Sequence, residues 1–239
     1  MTEVFDCSVA EQRATGIASA ISALKGGRLV VMPTDTVYGI GADAFDGTAV
    51  AALLAAKGRG RDMPVPVLVG SWHTIDGLVY TVPHSARELI EAFWPGALSL
   101  VVRQAPSLQW DLGDAHGTVM LRMPLHPIAI ELLREVGPMA VSSANISGRP
   151  AAVTAADAHE QLADLVEVYL EGGPSVQQAA STIVDLTGAQ PKILREGPVT
   201  AAAIAEVLGV ETETLGTETS ARSDAEAGEH VPGGDQEPE

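Results

Sequence analysis

The sequence has a single cysteine, Cys7, so no disulfide can close within the chain, and a reducing compartment, the cytoplasm, is the expected location. It has no apolar run of membrane-spanning length, and no basic stretch followed by a hydrophobic core at its start, so neither a span nor a secretory leader is expected. Its six histidines are scattered, with no i, i+4 pair and no partner cysteines, which argues against a histidine/cysteine zinc site. There is no Walker-type glycine run ending in Lys-Ser/Thr, no Gly-x-Ser-x-Gly elbow, and Gly39-Ile-Gly41 lacks the third glycine of a dinucleotide fingerprint. Aromatic residues are only 4% of the chain and bases are outnumbered, for a net charge of −17. That balance opposes a broad nucleic-acid surface, though not one local basic face.

What is present suffices for a substantial core: 239 residues, 46% of them hydrophobic. The charge is uneven. From Glu211 onward nine acids face one base, Arg222, so this stretch carries −8 and the remainder −9. With almost no large apolar residue, it cannot bury enough surface to offset the entropy of ordering. The expected organisation is one folded domain over residues 1–210 and a disordered acidic tail over 211–239.

Local patterns predict helices interleaved with strands. Ser8-Val-Ala-Glu11 and Ser85-Ala-Arg-Glu88 read as capping boxes, the first helix stopping near Lys25 before Gly26-Gly27 and the second at Trp94-Pro95-Gly96. Asp46 or Thr48 caps a helix from Ala49 to Ala56, Pro127 starts another, Thr154 with Asp157 a third, and a last runs from Ala201 to Leu208. Strands are predicted at Leu29–Met32, Val65–Val69, Leu98–Val102, Thr118–Met123, Met139–Val141, Leu165–Leu170, Thr182–Leu186 and Lys192–Leu194, with Pro33–Ala42 as a loop. Pro66 suggests either an edge strand or a strand's first residue. The fold class is α/β with a mixed sheet.

The chemistry concentrates between Pro33 and Arg61. Thr34, Thr36 and Tyr38 follow a buried strand beside Gly39 and Gly41, where backbone and hydroxyl groups can approach a small ligand. Lys57, Arg59 and Arg61 then place three cations in five positions, suited to an anion. Cations ending a helix also simply complement its dipole. Arg122, inside Val119-Met-Leu-Arg-Met123, needs a carboxylate, either internal or a ligand's. Ser143 and Asn145 follow an apolar run, Ser181 precedes another, and Arg195 follows Lys192-Ile-Leu194. Such positions at strand ends suit ligand binding in open α/β sheets, or ordinary turns. Asp35 is the only carboxylate close to the first loop, so nothing resembles a paired-carboxylate hydrolase.

Taken together, Pro33-Thr-Asp-Thr-Val-Tyr-Gly-Ile-Gly41, Lys57-Gly-Arg59, Phe93-Trp-Pro-Gly96, Val119-Met-Leu-Arg-Met-Pro124, Ser143-Ala-Asn-Ile-Ser-Gly-Arg-Pro150, Ser181-Thr-Ile-Val-Asp-Leu186 and Arg195-Glu-Gly197 resemble the threonylcarbamoyl-AMP synthase family, with its YrdC-like catalytic module. The resemblance covers roughly Gly16 to Gly209, in the family's order. It implies an open, twisted sheet of parallel and antiparallel strands, with helices around it and a concave ligand pocket. It also implies a reaction: L-threonine, bicarbonate and ATP give threonylcarbamoyl-adenylate and pyrophosphate, for threonylcarbamoyladenosine modification of tRNA. By the same resemblance, Lys57, Arg59 and Arg195 meet phosphates, with Lys57 and Arg59 catalytic, while Met63, Thr118 and Asn145 match nucleotide-contacting positions. Thr36, Arg122, Ser143 and Ser181 match threonine-holding positions. Mg²⁺ is expected to arrive with ATP rather than in a protein cage, and downstream tRNA-transferase proteins are the implied partners.

Some positions depart from the pattern: Gly60, Met63, Leu68 and Ala151-Ala-Val153 replace residues the family uses more often. Arg61 is the candidate to compensate for Met63. A rival reading is a non-catalytic module that binds tRNA or double-stranded RNA through Lys57, Arg59, Arg61, Arg122 and Arg195, without the aromatic–basic interleaving that base stacking uses.

Overall fold

In the computed structural model, which describes residues 2–217, eleven strands form one mixed sheet. In chain order the elements are β1 (Glu3–Asp6), α1 (Ala10–Lys25), β2 (Val30–Met32), β3 (Gly39–Asp43), α2 (Gly47–Ala56), β4 (Val67–Leu68), α3 (His84–Phe93), β5 (Leu98–Arg103) and β6 (Thr118–Arg122). There follow α4 (Pro127–Val136), β7 (Met139–Ser143), α5 (Ala155–Leu162), β8 (Val168–Glu171), β9 (Thr182–Asp185), β10 (Lys192–Arg195), α6 (Ala201–Leu208) and β11 (Gly216–Thr217). The strand order is β1-β8-β2-β3-β7-β4-β6-β5-β9-β10-β11. Among the described residues no helix is long and apolar enough to cross a membrane.

The two-residue period of the strands sorts their side chains onto two faces. Val30, Met32, Leu68, Met139, Val141, Val168 and Leu170 join α1 and α4 in one apolar cluster. Their neighbours Val31, Val67, Ala140 and Tyr169 belong to the other cluster, with α2, α3, α5 and α6. Further along the sheet, Leu98, Leu100, Val102, Val119, Leu121 and Val184 also enter that second cluster. The alternate residues Ser99, Met120, Arg122 and Ile183 line an open cleft instead. The concave pocket is therefore the part of one sheet face that α1 and α4 leave uncovered.

Three helix starts follow the sequence pattern: Asp46 accepts from the Thr48 and Ala49 amides, Pro127 opens α4, and Thr154 with Asp157 completes a capping box. Two do not. Ser8 hydrogen-bonds the Asp6 carboxylate at 2.6 Å, so α1 starts after Val9 without a side-chain cap. α3 starts at His84 behind Pro83, which puts Ser85 inside the first turn. The predicted Pro33–Ala42 loop becomes a strand from Gly39, because β3 is held on both sides by β2 and β7. A Cβ on Gly39 would sit 2.7 Å from Val141 Cγ1, so the glycine here serves strand packing as much as ligand access. Pro66 stands before an interior strand, since β4 pairs with both β7 and β6. β1 lies outside every sequence pattern and, among the described residues, pairs only with β8.

The expected domain end also shifts. Residues 211–217, assigned above to the tail, include a 3₁₀ turn at Thr212–Thr214 and β11, paired in parallel with β10. Leu215, 3% exposed, inserts into the larger apolar cluster and holds this segment. The rest of the predicted tail lies outside the described residues. Leu215→Ala is expected to cost about 2–3 kcal/mol, read as a lower denaturant midpoint at unchanged slope.

Candidate active site

The cleft has a volume of about 200 Å³ and crosses the sheet from β3 to β10. Thr36, Arg59, Arg122, Ser143, Ser181 and Arg195 all line it, although they come from segments far apart in the chain. Thr34, named with them in the sequence, lines it too, and Ser99 and Ser142 add hydroxyls the sequence reading did not single out. Ser99 lies within a strand, where only its alternation against Leu98 and Leu100 signals the cleft-facing side.

At the centre, Arg122 is buried and engaged through three of its N–H groups. Its Nη2 donates to Asp35 Oδ1 at 2.5 Å, Nη1 to Thr36 Oγ1 at 2.8 Å and Nε to the Gly96 carbonyl at 2.8 Å. Of the two partners open to Arg122 in the sequence, the internal carboxylate is present: Asp35 is only 7% exposed and also accepts from the Leu125 amide. A guanidinium has five N–H groups, so two remain for a ligand. Burial pulls the Arg122 pKa down while Asp35 pushes it back up.

Two further arginines face the cleft without a carboxylate partner among the described residues. Arg59 Nη1 donates to Ser142 Oγ at 3.3 Å, and its Nε is buried with no partner. Asp62 acts on it only from a distance. Arg195 donates from Nε and Nη2 to the Ser181 carbonyl, at 3.0 and 2.8 Å. Burial lowers both pKa values, and for Arg195 the charge on Arg59 lowers it further. Ser181 Oγ also meets Ser99 Oγ at 2.9 Å, tying β5 to the segment before β9. The result is a hydroxyl-lined cavity with surplus positive charge, suited to a polyanion held beside a carboxylate.

Lys57, Asn145, Thr118 and Met63 do not line the cavity. Lys57 is 2% exposed and turns behind β7, where Nζ donates to the carbonyls of Ser143 and Asn145 at 2.5 and 2.7 Å. Asn145 in turn donates to the Ile146 and Arg149 carbonyls, bracing the same loop. Thr118 caps its own turn on the Ala115 carbonyl, at the opposite end of β6 from Arg122. Met63 is exposed on the surface.

Arg61 does not join the group. It pairs with Asp111 at 2.7 Å and Asp114 at 3.4 Å, all three half exposed. This engagement removes it as a substitute for Met63, and Arg61→Ala is expected to leave ATP affinity within about twofold, measured by calorimetry, since exposed pairs contribute little. With Arg61 turned away and Lys57 buried behind β7, the remaining Arg59, Arg122 and Arg195 form a cavity lining and not a surface stripe, which takes away the ground for the RNA-binding reading.

Gly197 guards this arrangement. A methyl there would run into the Ala180 carbonyl oxygen and lie 2.8 Å from the Thr182 nitrogen. Gly197→Ala is expected to destabilise by about 1–3 kcal/mol and to displace Ser181 from Arg195, detectable as a weaker ATP affinity alongside a lower denaturant midpoint.

An eleven-stranded mixed sheet with an uncovered, cationic, hydroxyl-rich stretch on one face defines a YrdC-like α/β protein. The Sua5/YciO/YrdC family model, described as telomere recombination, matches residues 22–197. The chain belongs to that family. It is 76% identical over 215 residues to a Mycobacterium tuberculosis (strain ATCC 25618 / H37Rv) protein provisionally named threonylcarbamoyl-AMP synthase, covering 90% of this chain and 99% of that one. It is 36% identical over 194 residues to the threonylcarbamoyl-AMP synthase of Pyrococcus abyssi (strain GE5 / Orsay), covering 81% of this chain and 57% of that protein. The crystal structure of P. abyssi Sua5 complexed with L-threonine superimposes with a TM-score of 0.80 at 34% identity, covering 84% of this chain and 58% of that one. The chain thus spans little more than half of the archaeal protein and nearly all of the mycobacterial one.

Proposed function

We propose that this chain is an L-threonylcarbamoyladenylate synthase, a nucleotidyltransferase that makes threonylcarbamoyl-AMP and pyrophosphate from L-threonine, bicarbonate and ATP. The observation that carries the reading is the convergence of Arg59, Arg122 and Arg195 on one hydroxyl-lined cavity in which, among the described residues, only Arg122 has a carboxylate partner.

Arg122 offers its two spare N–H groups to the threonine carboxylate, with Thr36, Ser143 and Ser181 around the amino acid. Threonine's amine attacks bicarbonate, or carbon dioxide derived from it, forming the C–N bond of a carbamate with net loss of one water. A carbamate oxygen then attacks the α-phosphorus of ATP, and the bond to the β-phosphate's bridging oxygen breaks, releasing pyrophosphate. Arg59 and Arg195 take up the charge on the phosphates. No strong side-chain base is required, because positioning and charge neutralisation carry the step. Lys57 acts from behind β7, fixing the carbonyls of Ser143 and Asn145 and adding positive charge to the same wall. Asn145 acts through that loop, and direct nucleotide contact by Thr118 or Met63 is not part of the proposal.

Among the described residues no three histidine, cysteine, aspartate or glutamate side chains gather to hold a metal. Mg²⁺ enters the proposal as a companion of the ATP phosphates. A cytoplasmic location, direct contact with tRNA, and tRNA-modifying partners that consume the adenylate are parts of the same proposal.

The test is product formation with ATP, Mg²⁺, bicarbonate and L-threonine, followed by mass spectrometry and pyrophosphate release. Product that disappears when threonine or bicarbonate is omitted supports the reading. Folded protein that yields no adenylate under conditions where a relative is active refutes it.

A further inference from the structure

Ser99 stands in the middle of the cleft floor. β5 pairs in parallel with β9, setting Ser99 opposite Ile183, so Ser181 is its diagonal neighbour on the same face. On the other side β5 pairs antiparallel with β6, Leu100 opposite Leu121, and one further step in that register sets Ser99 opposite Arg122. Ser99 is 3% exposed and Ser181 8%, and both line the cleft. Among the described residues the hydrogen bond of the Ser99 hydroxyl is the one with Ser181 Oγ, at 2.9 Å. Ser181 Oγ also receives Arg195 Nη2 at 3.4 Å, and a guanidinium can only donate. The neighbouring hydroxyl of Thr182 is already committed: it donates to the Val199 carbonyl and accepts from the Gly197 and Val199 amides.

We propose that Ser99 is a positioning residue, donating to Ser181 Oγ and so turning the Ser181 proton toward the threonine carboxylate. The inference rests on the synthase reading and adds to it a residue outside the motifs that carry that reading. A serine oxygen accepts two hydrogen bonds and donates one. With Ser99 and Arg195 both donating, the two accepting positions of Ser181 are filled and its proton is left for an anion. In the reverse arrangement Ser181 spends that proton on Ser99 and presents only lone pairs to a carboxylate. A hydroxyl that accepts is also the stronger donor, so the chain from Ser99 through Ser181 to the carboxylate is cooperative. Ser99 lies between Ser181 and Arg122, which puts the aimed proton on the same stretch of floor as the fork proposed to grip that carboxylate.

The test compares the native protein with Ser99→Ala, Ser181→Ala, the double variant and Ser99→Thr. Ser99→Ala is expected to raise KM for threonine about fivefold with kcat within about twofold, the size of one neutral hydrogen bond. Ser181→Ala is expected to raise it about tenfold, and adding Ser99→Ala to that variant to change nothing further, because Ser99 acts through Ser181. Ser99→Thr keeps the hydroxyl and is expected to restore the native KM. Inorganic pyrophosphate, read by calorimetry, should bind Ser99→Ala within about twofold of the native protein, since Arg195 is held by the Ser181 carbonyl and not by its hydroxyl. Losses that multiply in the double variant, an unchanged KM in Ser99→Ala, or a matching loss of pyrophosphate affinity overturn the positioning role. Each of those results leaves adenylate formation by the native protein intact. Absence of native adenylate instead refutes the synthase reading, and this role with it.

Discussion

Arg122→Leu is expected to lower stability by about 3–5 kcal/mol and to abolish measurable synthase activity. The substitution leaves the Asp35 carboxylate, 7% exposed, facing an apolar side chain with only the Leu125 amide as donor. The Gly96 carbonyl and the Thr36 hydroxyl lose their donors at the same time. A buried charge without its partner is the costly state, more than the absence of the pair. The double variant Asp35→Asn with Arg122→Leu should therefore recover most of the lost stability, and this can be read from denaturant midpoints. Activity should stay absent in the double variant, because the fork proposed to hold the threonine carboxylate is still missing. Recovery of activity would show that Arg122 supports the fold and not the substrate. Arg122→Lys separates these further: it keeps the charge, loses the planar fork, and is expected to raise KM for threonine at least tenfold with a milder stability loss.

The second large effect is expected at Lys57. Lys57→Met should reduce kcat/KM on the order of 10²-fold or more while changing stability by no more than ~1–2 kcal/mol. The ammonium is buried, and that burial, followed by the nearby charge of Arg59, lowers its pKa from 10.5 to about 8. The sign follows from the direction. Between about pH 8 and 10.5 the unfolded chain holds the proton that the folded chain has released, so the native state gains stability as pH rises through that window. Below pH 8 the full cost of burying the charge is present. Methionine removes that cost and also removes the donor to the Asn145 carbonyl, and the two changes oppose each other. Activity is expected to move the other way, because the neutral amine no longer adds charge to the wall proposed to meet the phosphates. The pH profile of kcat/KM should thus fall above about 8 in the native protein. In Lys57→Met it should be low and flat across the same range. A native profile that stays level to pH 9.5 would remove Lys57 from the charge-neutralising role and leave it a loop brace.

Much of this protein was determined by short-range pattern. Asp46, Pro127 and the Thr154–Asp157 pair set helix starts through groups within three residues, so their physics is contained in a few consecutive letters. The alternation Leu98-Ser99-Leu100 in β5 and Met120-Leu121-Arg122 in β6 fixes which side chains share a face, and with the family motifs it brought Thr36, Arg59, Arg122, Ser143, Ser181 and Arg195 to one site.

Tertiary structure decided the rest, for one physical reason: the deciding partners are remote along the chain. Arg122 meets Asp35 across 87 residues and Lys57 meets Asn145 across 88, so whether each cation faces a ligand or the protein is invisible locally. Glycine-poor propensity rules would reject β3 as a strand, yet β2 and β7 flank it and supply its hydrogen bonds. Ser8 and Ser85 carried the right letters for caps and lost to a nearer carboxylate and a preceding proline. Leu215 looked like part of an acidic tail until the larger apolar cluster received it, because burial depends on what lies opposite and not on what lies beside a residue in sequence.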